Sequence, residues 1–476
     1  GDYDVDGVCS TTILVEFLRS VGANVDFYIP ERQSEGYGVN EDAIRDIASR
    51  AQVLVTTDCG ITAVEPLSVA RELGLDVIVV DHHQVPAELP PAVAILDPHR
   101  PDCGFPFKDL CAAGVAFMLI AALRRHLRES GAFANSPEPD IRVHLDAVAL
   151  ATVADMVPIQ GTNRILVAAG LRLLTQARRP GLAALMKISK IIPEQISASD
   201  LGYRIGPRIN ARGRLDHAGA GVDLMLTQNH AEAQELAQLL DEANLARRKI
   251  EQATVEKAIE RVENEKLHES ASIVLYDPTW HPGVLGLVAS RLTQRFCRPS
   301  VVIGTGGKGS ARSIDGVNIH AAMSAGKEFA LRFGGHHAAA GLTIEPEQIP
   351  HFHKALNTAV REQKGKPPFI AVLRPDMEID TENLHLGMVS QLQELAPFGQ
   401  KNPEPLFLAK HLPVRSKRIV GQTHLKLNLG DQGHDAIAFG FGEHLGSLGN
   451  YVDAIFRIER NVYRGRESLQ LKIEDL

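Results

Sequence analysis

Short apolar runs alternate with longer helical segments in the first hundred residues. The apolar runs cover residues 25–29, 53–57, 77–80 and 93–96. Such runs of four or five residues, rich in β-branched side chains and separated by helix-sized segments, indicate βα units and a parallel sheet buried on both faces. Residues 110–185 are rich in Ala and Leu and are expected to form helices that cover this sheet. The predicted fold class is therefore α/β, with a parallel-sheet domain first.

The pattern changes after residue 229. Residues 230–268 contain no Pro or Gly and are dominated by strong helix formers, which predicts a connecting helix on the order of 55 Å long. The alternative is two shorter helices with a break near Asn244. Residues 269–364 then begin a second, smaller α/β pattern, with strands expected at 273–276 and 301–304. The long helix is thus predicted to join two α/β domains.

Polar and apolar residues alternate with a period of two near the carboxyl end of the chain, at 424–429 and 468–473, which favours the strands of a small β-barrel. The Lys-, Gly- and Pro-rich stretch 364–368 is expected to be the linker before it. Because Gly1 opens a loop of the kind that normally follows a strand, we expect the first domain to extend before Gly1. The predicted order is an α/β domain at 1–229, a connecting helix at 230–268, a smaller α/β domain at 269–364 and an all-β domain at 365–476.

Composition excludes several classes of protein. A hydrophobic share of 44% with 23% charged residues is typical of a soluble globular chain of 476 residues. The longest apolar run, Cys111–Leu123, is shorter than the roughly 20 residues that a membrane-spanning helix needs. The five cysteines form no CxxC pair, which argues against a disulfide framework or a structural zinc site and favours the reducing cytoplasm. The net charge of 50 − 58 = −8 disfavours attraction of nucleic acid to the whole surface but leaves room for a local basic groove.

Acidic and histidine side chains stand at four points of the first domain. They are Asp4 with Asp6, Asp58, Asp81-His82-His83, and Asp155. In open parallel sheets ligands bind at the carboxyl ends of strands, and three of these points lie there. Carboxylate and imidazole ligands without thiolate suit Mn²⁺ or Mg²⁺, and two such ions about 3.5 to 4 Å apart can promote in-line displacement at phosphorus. The predicted chemistry is phosphodiester hydrolysis, although each Asp alone could be a turn or N-cap residue and each His a hydrogen-bonded core residue.

In order and separation, these points resemble the four motifs of the DHH phosphoesterase superfamily. Nearly the whole chain resembles one family within it, the RecJ family of bacterial single-strand-specific 5′ to 3′ exonucleases. The segments that carry the second resemblance are Glu35-Gly36-Tyr37-Gly38, Gly206–Arg214, Trp280–Gly283 and Gly334–Gly341, the last of which is similar to the GGH signature of the DHHA1 domain. The resemblance implies a DHH domain, a DHHA1 domain and a C-terminal OB-fold domain.

The resemblance also implies a two-metal site for Mn²⁺ or Mg²⁺. The implied metal ligands are Asp4, Asp6, Asp58, His82 and Asp155. Asp58 would bridge the ions, and His83 would face the scissile phosphate or complete a metal shell. Asp81 is expected to orient the histidines. Asp2 could instead hold the loop.

A basic segment is expected to contact the substrate near the metals. Residues 202–215 carry four arginines and no acid, and arginine forks match phosphate oxygens. The candidates here are Arg204, Arg208, Asn210, Arg212 and Arg214. The alternative is a solvated segment, or a structural pair between Arg214 and Asp216.

Further substrate contacts follow from the resemblance. Ser310 and Arg312, together with Arg32, are implied to hold the 5′-terminal phosphate. His336 or His337 could bond a phosphate or nucleotide, with a tight turn packed by alanines as the alternative. The remaining candidates are Tyr37, which could stack on a base, and Arg415, Lys417 and Arg418 in the barrel.

The expected function is metal-dependent 5′ to 3′ hydrolysis of single-stranded DNA to nucleoside 5′-monophosphates in DNA repair and recombination. The expected partners are single-stranded DNA, a RecQ-type helicase and a single-strand-binding protein, and the chain is expected to be a monomer. One alternative is a DHH phosphoesterase for small molecules or oligoribonucleotides, which would lack a use for the barrel and the arginine segment. The other is an inactive scaffold that binds single strands, against which the complete Asp and His set counts.

Overall fold

A computed structural model describes residues 1–30, 38–215, 219–463 and 465–476. Two predicted DNA-binding residues, Arg32 and Tyr37, lie outside the described residues, and the side chains of Arg212 and Arg214 are not described either. Within the described ranges, every helix is too short or too polar to cross a membrane.

The N-terminal unit is built on a parallel sheet of three strands in the order β1–β2–β3. The strands are β1 (Val53–Thr57), β2 (Asp76–Val80) and β3 (Ala94–Leu96). They confirm three of the four strands that the apolar runs predict. The prediction of a strand at 25–29 is wrong. The ammonium group of Gly1 donates to the carbonyl of Tyr28 at 2.9 Å, but the described segment lacks the ladder of bonds that would make it a strand.

Helices cover this sheet and continue beyond it, as the Ala- and Leu-rich sequence predicts. They are α1 (Val5–Ser20), α2 (Glu41–Ala48), α3 (Val64–Glu72), α4 (Ala112–Glu129), α5 (Leu145–Ala154), α6 (Gly161–Leu174), α7 (Pro180–Ile188), α8 (Ala198–Asp200), α9 (Gly206–Leu215) and α10 (Gly219–Leu226). A one-turn π-helix at Leu201–Ile205 leads into α9. The predicted basic segment is therefore helical. The main core lies among α1, α4, α5 and their neighbours, where α1 is buried along most of its length.

One uninterrupted helix, α11 (His230–Asn264), confirms the predicted connector and contradicts a break near Asn244. Its 35 residues correspond to about 52 Å. Leu240 packs into the core of the N-terminal unit, whereas Ala258 and Val262 pack into a core of the second unit. The same helix therefore belongs to both units.

The second unit contains a mixed sheet of five strands in the order β4–β5–β6–β8–β7. Its strands are β4 (Ile273–Tyr276), β5 (Ser300–Ile303), β6 (Lys308–Arg312), β7 (Ala330–Gly335) and β8 (Ala339–Ile344), and its helices are α12 (Leu285–Phe296), α13 (Ile319–Ser324) and α14 (Ile349–Lys364). Both strands predicted here are confirmed, because β4 and β5 pair in parallel.

The C-terminal unit is a closed β-barrel. Its elements are β9 (Met377–Glu378), α15 (Leu386–Gln393), β10 (Phe407–Val420), β11 (His424–Leu429), β12 (His434–Ala438), β13 (Tyr451–Tyr463) and β14 (Arg466–Asp475). The five long strands follow the order β11–β12–β14–β13–β10, and β10 pairs again with β11 to close the barrel. This is the strand order of an OB fold.

The barrel docks on the N-terminal unit beside Asp155. The N–H of Ile159 donates to the carbonyl of Gln400 at 2.8 Å, and the amide of Gln160 donates to the carbonyl of Lys401 at 2.7 Å. Ile159 is buried and lies against Gly399, where an added Cβ would come within 2.7 Å of its side chain. The segment that follows Asp155 is therefore fixed by the barrel.

Candidate metal centre and phosphate-binding site

Asp4 is the first predicted metal ligand of the candidate centre along the chain, and it is the N-cap of α1. Its Oδ1 accepts hydrogen bonds from the N–H groups of Asp6 at 2.9 Å and Gly7 at 3.1 Å, as an N-cap residue does. Asn210 of α9 accepts from the N–H of Val5 at 2.9 Å. The loop that carries Asp4 and Asp6 is thus fixed by two contacts, the side-chain cap of Asp4 and the backbone hydrogen bond from Val5 to Asn210.

Asp6 is buried and is held by the first turn of another helix. Its two carboxylate oxygens accept from the N–H groups of Ala112, at 2.6 Å, and Ala113, at 2.8 Å. These are N-terminal donors of α4 that have no partner within the helix, and the helix dipole favours negative charge there. The position of α4 therefore fixes the direction of the Asp6 carboxylate.

Asp58 follows β1 with a left-handed backbone, at φ 59°. Asp tolerates this conformation better than most residues, and it turns the chain sharply at the end of the strand. The N–H of Asp58 donates to the carbonyl of Val80 at 3.0 Å, which ties the end of β1 to the end of β2. Asp58 is buried next to the segment that carries the histidines.

Asp81 orients the histidines that follow it. Its Oδ1 accepts from the N–H of His82 at 2.8 Å and from Nδ1 of His83 at 2.7 Å, while Oδ2 accepts from the N–H of Ile61 at 2.9 Å. Burial disfavours charge on Asp81, but the hydrogen bond from His83 outweighs it and lowers the pKa of Asp81. Burial also opposes charge on His83, but the bond to Asp81 raises its pKa. With its oxygens engaged, Asp81 acts on the centre through the histidines.

The sequence-predicted carboxylates and imidazoles come together at the carboxyl edge of the sheet. Ligand atoms lie within 4.8 Å of one another in three overlapping groups: Asp58, His82 and His83; Asp6, His82 and Asp155; and Asp2, Asp4 and Asp58. His82 is shared by the first two groups, and Asp58 by the first and third. The shared residues join the three groups into a single cluster.

The Nε2 atom of His82 is buried at the middle of this cluster without a hydrogen-bond partner. It lies 3.2 Å from Asp58, 3.6 Å from Asp6 and 3.6 Å from Asp155. Burial and the nearby His83 lower the pKa of His82 to about 4, so the ring is neutral at pH 7. A neutral imidazole nitrogen that faces three carboxylates has the arrangement of a metal ligand.

The carboxylates of the cluster are too close to one another to ionise independently. Burial and the charge of Asp4 raise the pKa of Asp6 to about 7, and burial together with Asp6 raises the pKa of Asp155 to about 9. Burial and Asp6 hold the pKa of Asp58 well above its usual range. Divalent cations would remove this repulsion and leave the groups ionised. The donor set of carboxylate oxygens with imidazole nitrogen fits Mn²⁺ or Mg²⁺.

A second candidate site lies in the second unit, where Ser310 and Arg312 share one face of β6. A Cβ added to Gly286, at the start of α12, would lie 2.8 Å from the Arg312 guanidinium and 3.6 Å from the Ser310 hydroxyl. Burial lowers the pKa of Arg312, and no carboxylate pairs with it among the described residues. A half-buried guanidinium beside a hydroxyl and a helix N-terminus suits an anion.

The other predicted substrate contacts are placed differently. Arg208 pairs with Asp241 of α11 at 2.8 Å, and Arg204 pairs with Asp200 at 2.7 Å. Packed helices therefore supply both arginines with carboxylate partners, and their contact with phosphate stays a prediction. Asn210 holds Val5, as described above. Both His336 and His337 are exposed in the turn between β7 and β8, outside the cluster of metal-ligating groups.

Sequence reasoning missed three residues in or behind the centre. Asp2 was given holding the loop as an alternative role, and its Oδ1 is buried without a hydrogen-bond partner in the group with Asp4 and Asp58. Behind the centre, Nδ1 of His99 donates to the carbonyl of His82 at 2.6 Å, and Asp97 accepts from the N–H of His99 at 2.8 Å. Asp97 could have been found from its position in the sequence, because it follows β3 as Asp58 and Asp81 follow β1 and β2.

Comparisons with known proteins identify the family and its domains. Residues 1–152 match the DHH family, N-terminal domain; residues 269–362 match the DHHA1 domain; and residues 375–475 match the RecJ OB domain. Over its full length the chain is 37% identical to single-stranded-DNA-specific exonuclease RecJ of Escherichia coli (strain K12), and it covers 86% of that protein. The chain belongs to the RecJ family. The predicted order of a DHH, a DHHA1 and an OB-fold unit is confirmed.

Other RecJ relatives show the same likeness. The chain is 37% identical to RecJ of Bacillus subtilis (strain 168), of which it spans 60%. A crystal structure of RecJ from Thermus thermophilus in complex with Mn²⁺ matches with a TM-score of 0.84 at 31% identity, covering 100% of this chain and 68% of that one. The fold and family are therefore established along the entire chain.

Proposed function

We propose that this chain is a divalent-metal-dependent exonuclease that degrades single-stranded DNA from its 5′ end to nucleoside 5′-monophosphates, in DNA repair and recombination. The observation that carries the proposal is the buried, neutral Nε2 of His82 facing the carboxylates of Asp6, Asp58 and Asp155. The relatives are named as single-stranded-DNA-specific exonucleases, and RecJ structures hold Mn²⁺ or Mg²⁺.

In this proposal five residues hold two metal ions, namely Asp4, Asp6, Asp58, His82 and Asp155. Asp58 would help to hold both ions, which its membership of two ligand groups supports. When bound, the metal pair supplies an activated water and neutralises charge at the phosphoryl oxygens. Asp81 fixes the ring of His83 through Nδ1, so that His83 can act at the scissile phosphate or complete a metal shell.

The polarity of cleavage follows from the cradle formed by Ser310, Arg312 and Gly286. A 5′-terminal phosphate carries more negative charge than an internal phosphodiester, so a half-buried guanidinium without a described carboxylate partner would prefer it. The turn at Pro282–Val284, which leads into α12, contacts α9 of the N-terminal unit. The cradle is therefore supported by an element that touches the catalytic unit. Arg32 remains a predicted third contact.

The two alternative functions are not favoured. A phosphoesterase for small molecules or oligoribonucleotides would not need the barrel, which matches the OB domain of RecJ proteins. An inactive scaffold would not need a complete set of metal-ligating groups. A series of substrates of increasing length separates the first alternative from the proposal, because a small-molecule enzyme would favour the shortest.

The decisive experiment measures hydrolysis of 5′-phosphorylated single strands with Mn²⁺ or Mg²⁺. We expect nucleoside 5′-monophosphates from the native chain and none from the Asp58→Ala, His82→Ala double variant. Retained activity in that variant would exclude this centre. In parallel, Arg312→Ala should weaken the preference for a 5′-phosphate more than it slows hydrolysis of unphosphorylated ends, and equal losses would contradict the end-binding role.

We also propose partners, a compartment and an oligomeric state for this protein. A strand-specific exonuclease needs strands that have been opened, so a RecQ-type helicase and a single-strand-binding protein are the partners we propose. All five cysteines are free, which supports a reducing, cytoplasmic setting. A monomer is proposed, since one chain supplies every group of the metal centre.

A further inference from the structure

Asn163 is a fully buried polar residue in the first turn of α6. Its Nδ2 donates to the carbonyl of Asp109 at 2.6 Å and to the carbonyl of Pro158 at 3.0 Å. Asp109 stands in the loop that leads into α4, and Pro158 stands in the segment that follows α5. Both hydrogens of this amide are therefore used to join two segments that are distant in the sequence.

Each of the two segments leads, over three residues, to a carboxylate of the candidate metal centre. Pro158 is three residues after Asp155. Asp109 is three residues before Ala112, the first residue of α4, whose N–H donates to the carboxylate of Asp6 at 2.6 Å. The buried amide therefore connects the backbone that carries one carboxylate with the helix end that holds the other.

Two further contacts hold the same segments together. The Phe107 ring lies against Gly161, where an added Cβ would come within 2.9 Å of it and where the backbone is left-handed, at φ 47°. The thiol of Cys111 lies 3.5 Å from the hydroxyl of Thr152, three residues before Asp155. The loop that enters α4 thus touches the chain both before and after this aspartate.

Asp6 and Asp155 need such a restraint because their charges repel. Their ligand atoms lie within 4.8 Å of one another in the group that includes His82. Both must be ionised to bind a metal ion, and two buried carboxylates in that state repel strongly. Asp6 is fixed by two N–H groups of α4, whereas the Asp155 carboxylate accepts no hydrogen bond from the residues that the structure describes. The position of Asp155 therefore depends on its backbone.

We propose that Asn163 is a positioning residue of the metal centre, which sets the spacing between Asp6 and Asp155 before a cation arrives. Its amide ties the two backbone segments together, so the two carboxylates stay close enough to bind the same divalent ion. This role rests on the metal-dependent function proposed above. It adds to that function a residue that touches neither the metal nor the substrate.

Stability alone does not account for the Asn163 amide. Its Oδ1 is buried without a hydrogen-bond partner in the part of the chain that the structure describes. A buried acceptor that is unpaired costs free energy of folding, which offsets part of what the two donated bonds contribute. The residue is better explained by the direction that it gives to the two segments than by the stability that it adds.

The test measures Mn²⁺ affinity by isothermal titration in the full chain. Asn163→Ala removes both donated bonds, and Asn357→Ala is the matched control, since Asn357 accepts hydrogen bonds from Ser272 within the second unit. Asn163→Ala should weaken Mn²⁺ binding about tenfold or more, the usual effect of removing an outer contact of a metal site, whereas Asn357→Ala should bind Mn²⁺ like the native chain. Equal affinities in the native chain and Asn163→Ala, or an equal loss in Asn357→Ala, would overturn the assignment.

Melting temperatures separate positioning from a general loss of stability. In EDTA both variants should melt below the native chain, because each loses buried hydrogen bonds. A ligand stabilises the folded state according to its affinity, so a fixed Mn²⁺ concentration should raise the melting temperature of Asn163→Ala less than that of the native chain or of Asn357→Ala. An equal rise in all three proteins would contradict the positioning role.

A second variant approaches the same contact from the other side. Gly161→Ala leaves the amide of Asn163 in place but pushes on Phe107, whose ring stands 2.9 Å from the added Cβ. It should also weaken Mn²⁺ binding, which keeps the proposal testable where Asn163→Ala gives no cooperative melting transition. Unchanged Mn²⁺ affinity in Gly161→Ala would then overturn it.

Hydrolysis of a 5′-phosphorylated single strand is measured over a range of Mn²⁺ concentrations. Asn163→Ala should need more Mn²⁺ for its half-maximal rate and should approach the native rate at saturation, since every group that touches the substrate is intact. A rate that stays low at saturating Mn²⁺ would contradict a role in metal binding. No hydrolysis by the native chain would contradict the proposed function, whereas native hydrolysis with unchanged Mn²⁺ affinity in Asn163→Ala would contradict only the positioning role.

Discussion

Asn210 of α9 accepts a hydrogen bond from the N–H of Val5, a residue 205 positions earlier in the sequence. Val5 stands between Asp4 and Asp6, so this bond connects the basic helix directly to the aspartates of the metal centre. The α9 helix in turn packs against α11 and against the turn that precedes α12. We therefore expect Asn210 to position the loop of the candidate metal centre.

Replacing Asn210 with Ala should weaken Mn²⁺ binding by about tenfold to a hundredfold, the usual cost of losing an outer contact of a metal site. The N–H of Val5 would lose its acceptor, and the loop would no longer be held in one place. Isothermal titration with Mn²⁺ measures the effect. Gln252→Ala removes an exposed amide from α11 and should leave the affinity unchanged. Equal affinities in all three proteins would show that the bond does not position the loop.

Metal binding at pH 7 should release at least one proton per chain. The pKa of Asp155 is about 9 and that of Asp6 about 7 in the absence of metal, so these carboxyls are wholly or partly protonated at neutral pH. A bound divalent ion requires them ionised. Titrations in buffers of different ionisation enthalpy count the protons released, and the affinity should rise with pH between 6 and about 9. Binding heats that do not depend on the buffer would contradict the protonated resting state.

The stability of the metal-free protein should fall as pH rises through this range. Burial and the nearby Asp6 raise the pKa of Asp155 from its ordinary value of 3.8 to about 9, so the folded state holds this proton more tightly than the unfolded chain. The resulting stabilisation is complete below about pH 4 and is lost as pH rises toward 9. Asp155→Asn should therefore raise the melting temperature at pH 8 by at least about 2 °C in EDTA. Asp76→Asn, at an exposed position, is the comparison and should change little; a fall in the Asp155→Asn melting temperature would refute the account.

Asp81→Asn should lower kcat by about tenfold to a hundredfold without removing a metal ligand. The variant loses the carboxylate that raises the pKa of His83. The limb of the pH–rate profile that reports His83 should therefore move to lower pH. A decrease in kcat with an unmoved profile would indicate a purely structural role for Asp81.

Gly286→Ala should reduce the preference for 5′-phosphorylated strands. The added methyl group would stand 2.8 Å from the Arg312 guanidinium, which would have to leave the cradle. Competition between phosphorylated and unphosphorylated oligonucleotides of one sequence measures the preference. Gly104→Ala, where the added Cβ meets no atom within 4 Å, controls for the substitution itself. An unchanged preference in Gly286→Ala would place the end-binding site elsewhere.

Much of the metal centre is predictable because a parallel sheet brings the ends of its strands together. Asp58 and Asp81 follow β1 and β2 directly, so the pattern of apolar runs alone indicates that they converge. Asp155 follows a helix, and only its likeness to a family motif identified it beforehand. The pattern of apolar residues does not indicate where the end of a helix will lie relative to the sheet, so it cannot predict a ligand at that position.

The features that the sequence did not predict depend on contacts between distant elements. The pairing of Arg208 with Asp241 depends on how α9 packs against α11, which no spacing in the sequence reveals. The apolar run at 25–29 has the composition of a strand, but strand formation requires a neighbouring backbone that pairs with it. The contact between Asn210 and Val5 is of the same kind, since tertiary packing alone brings the two residues together.

The unbroken α11 helix sets a fixed distance between the two units that it joins. Leu240 is anchored in the core that supports the metal centre, and Ala258 and Val262 are anchored in a core of the unit that carries Arg312. A helix of fixed rise cannot stretch, so the span between the proposed end-binding cradle and the proposed metal centre is constant. The size of the released fragment would then be dictated by a backbone dimension and would stay the same whatever bases the strand contains.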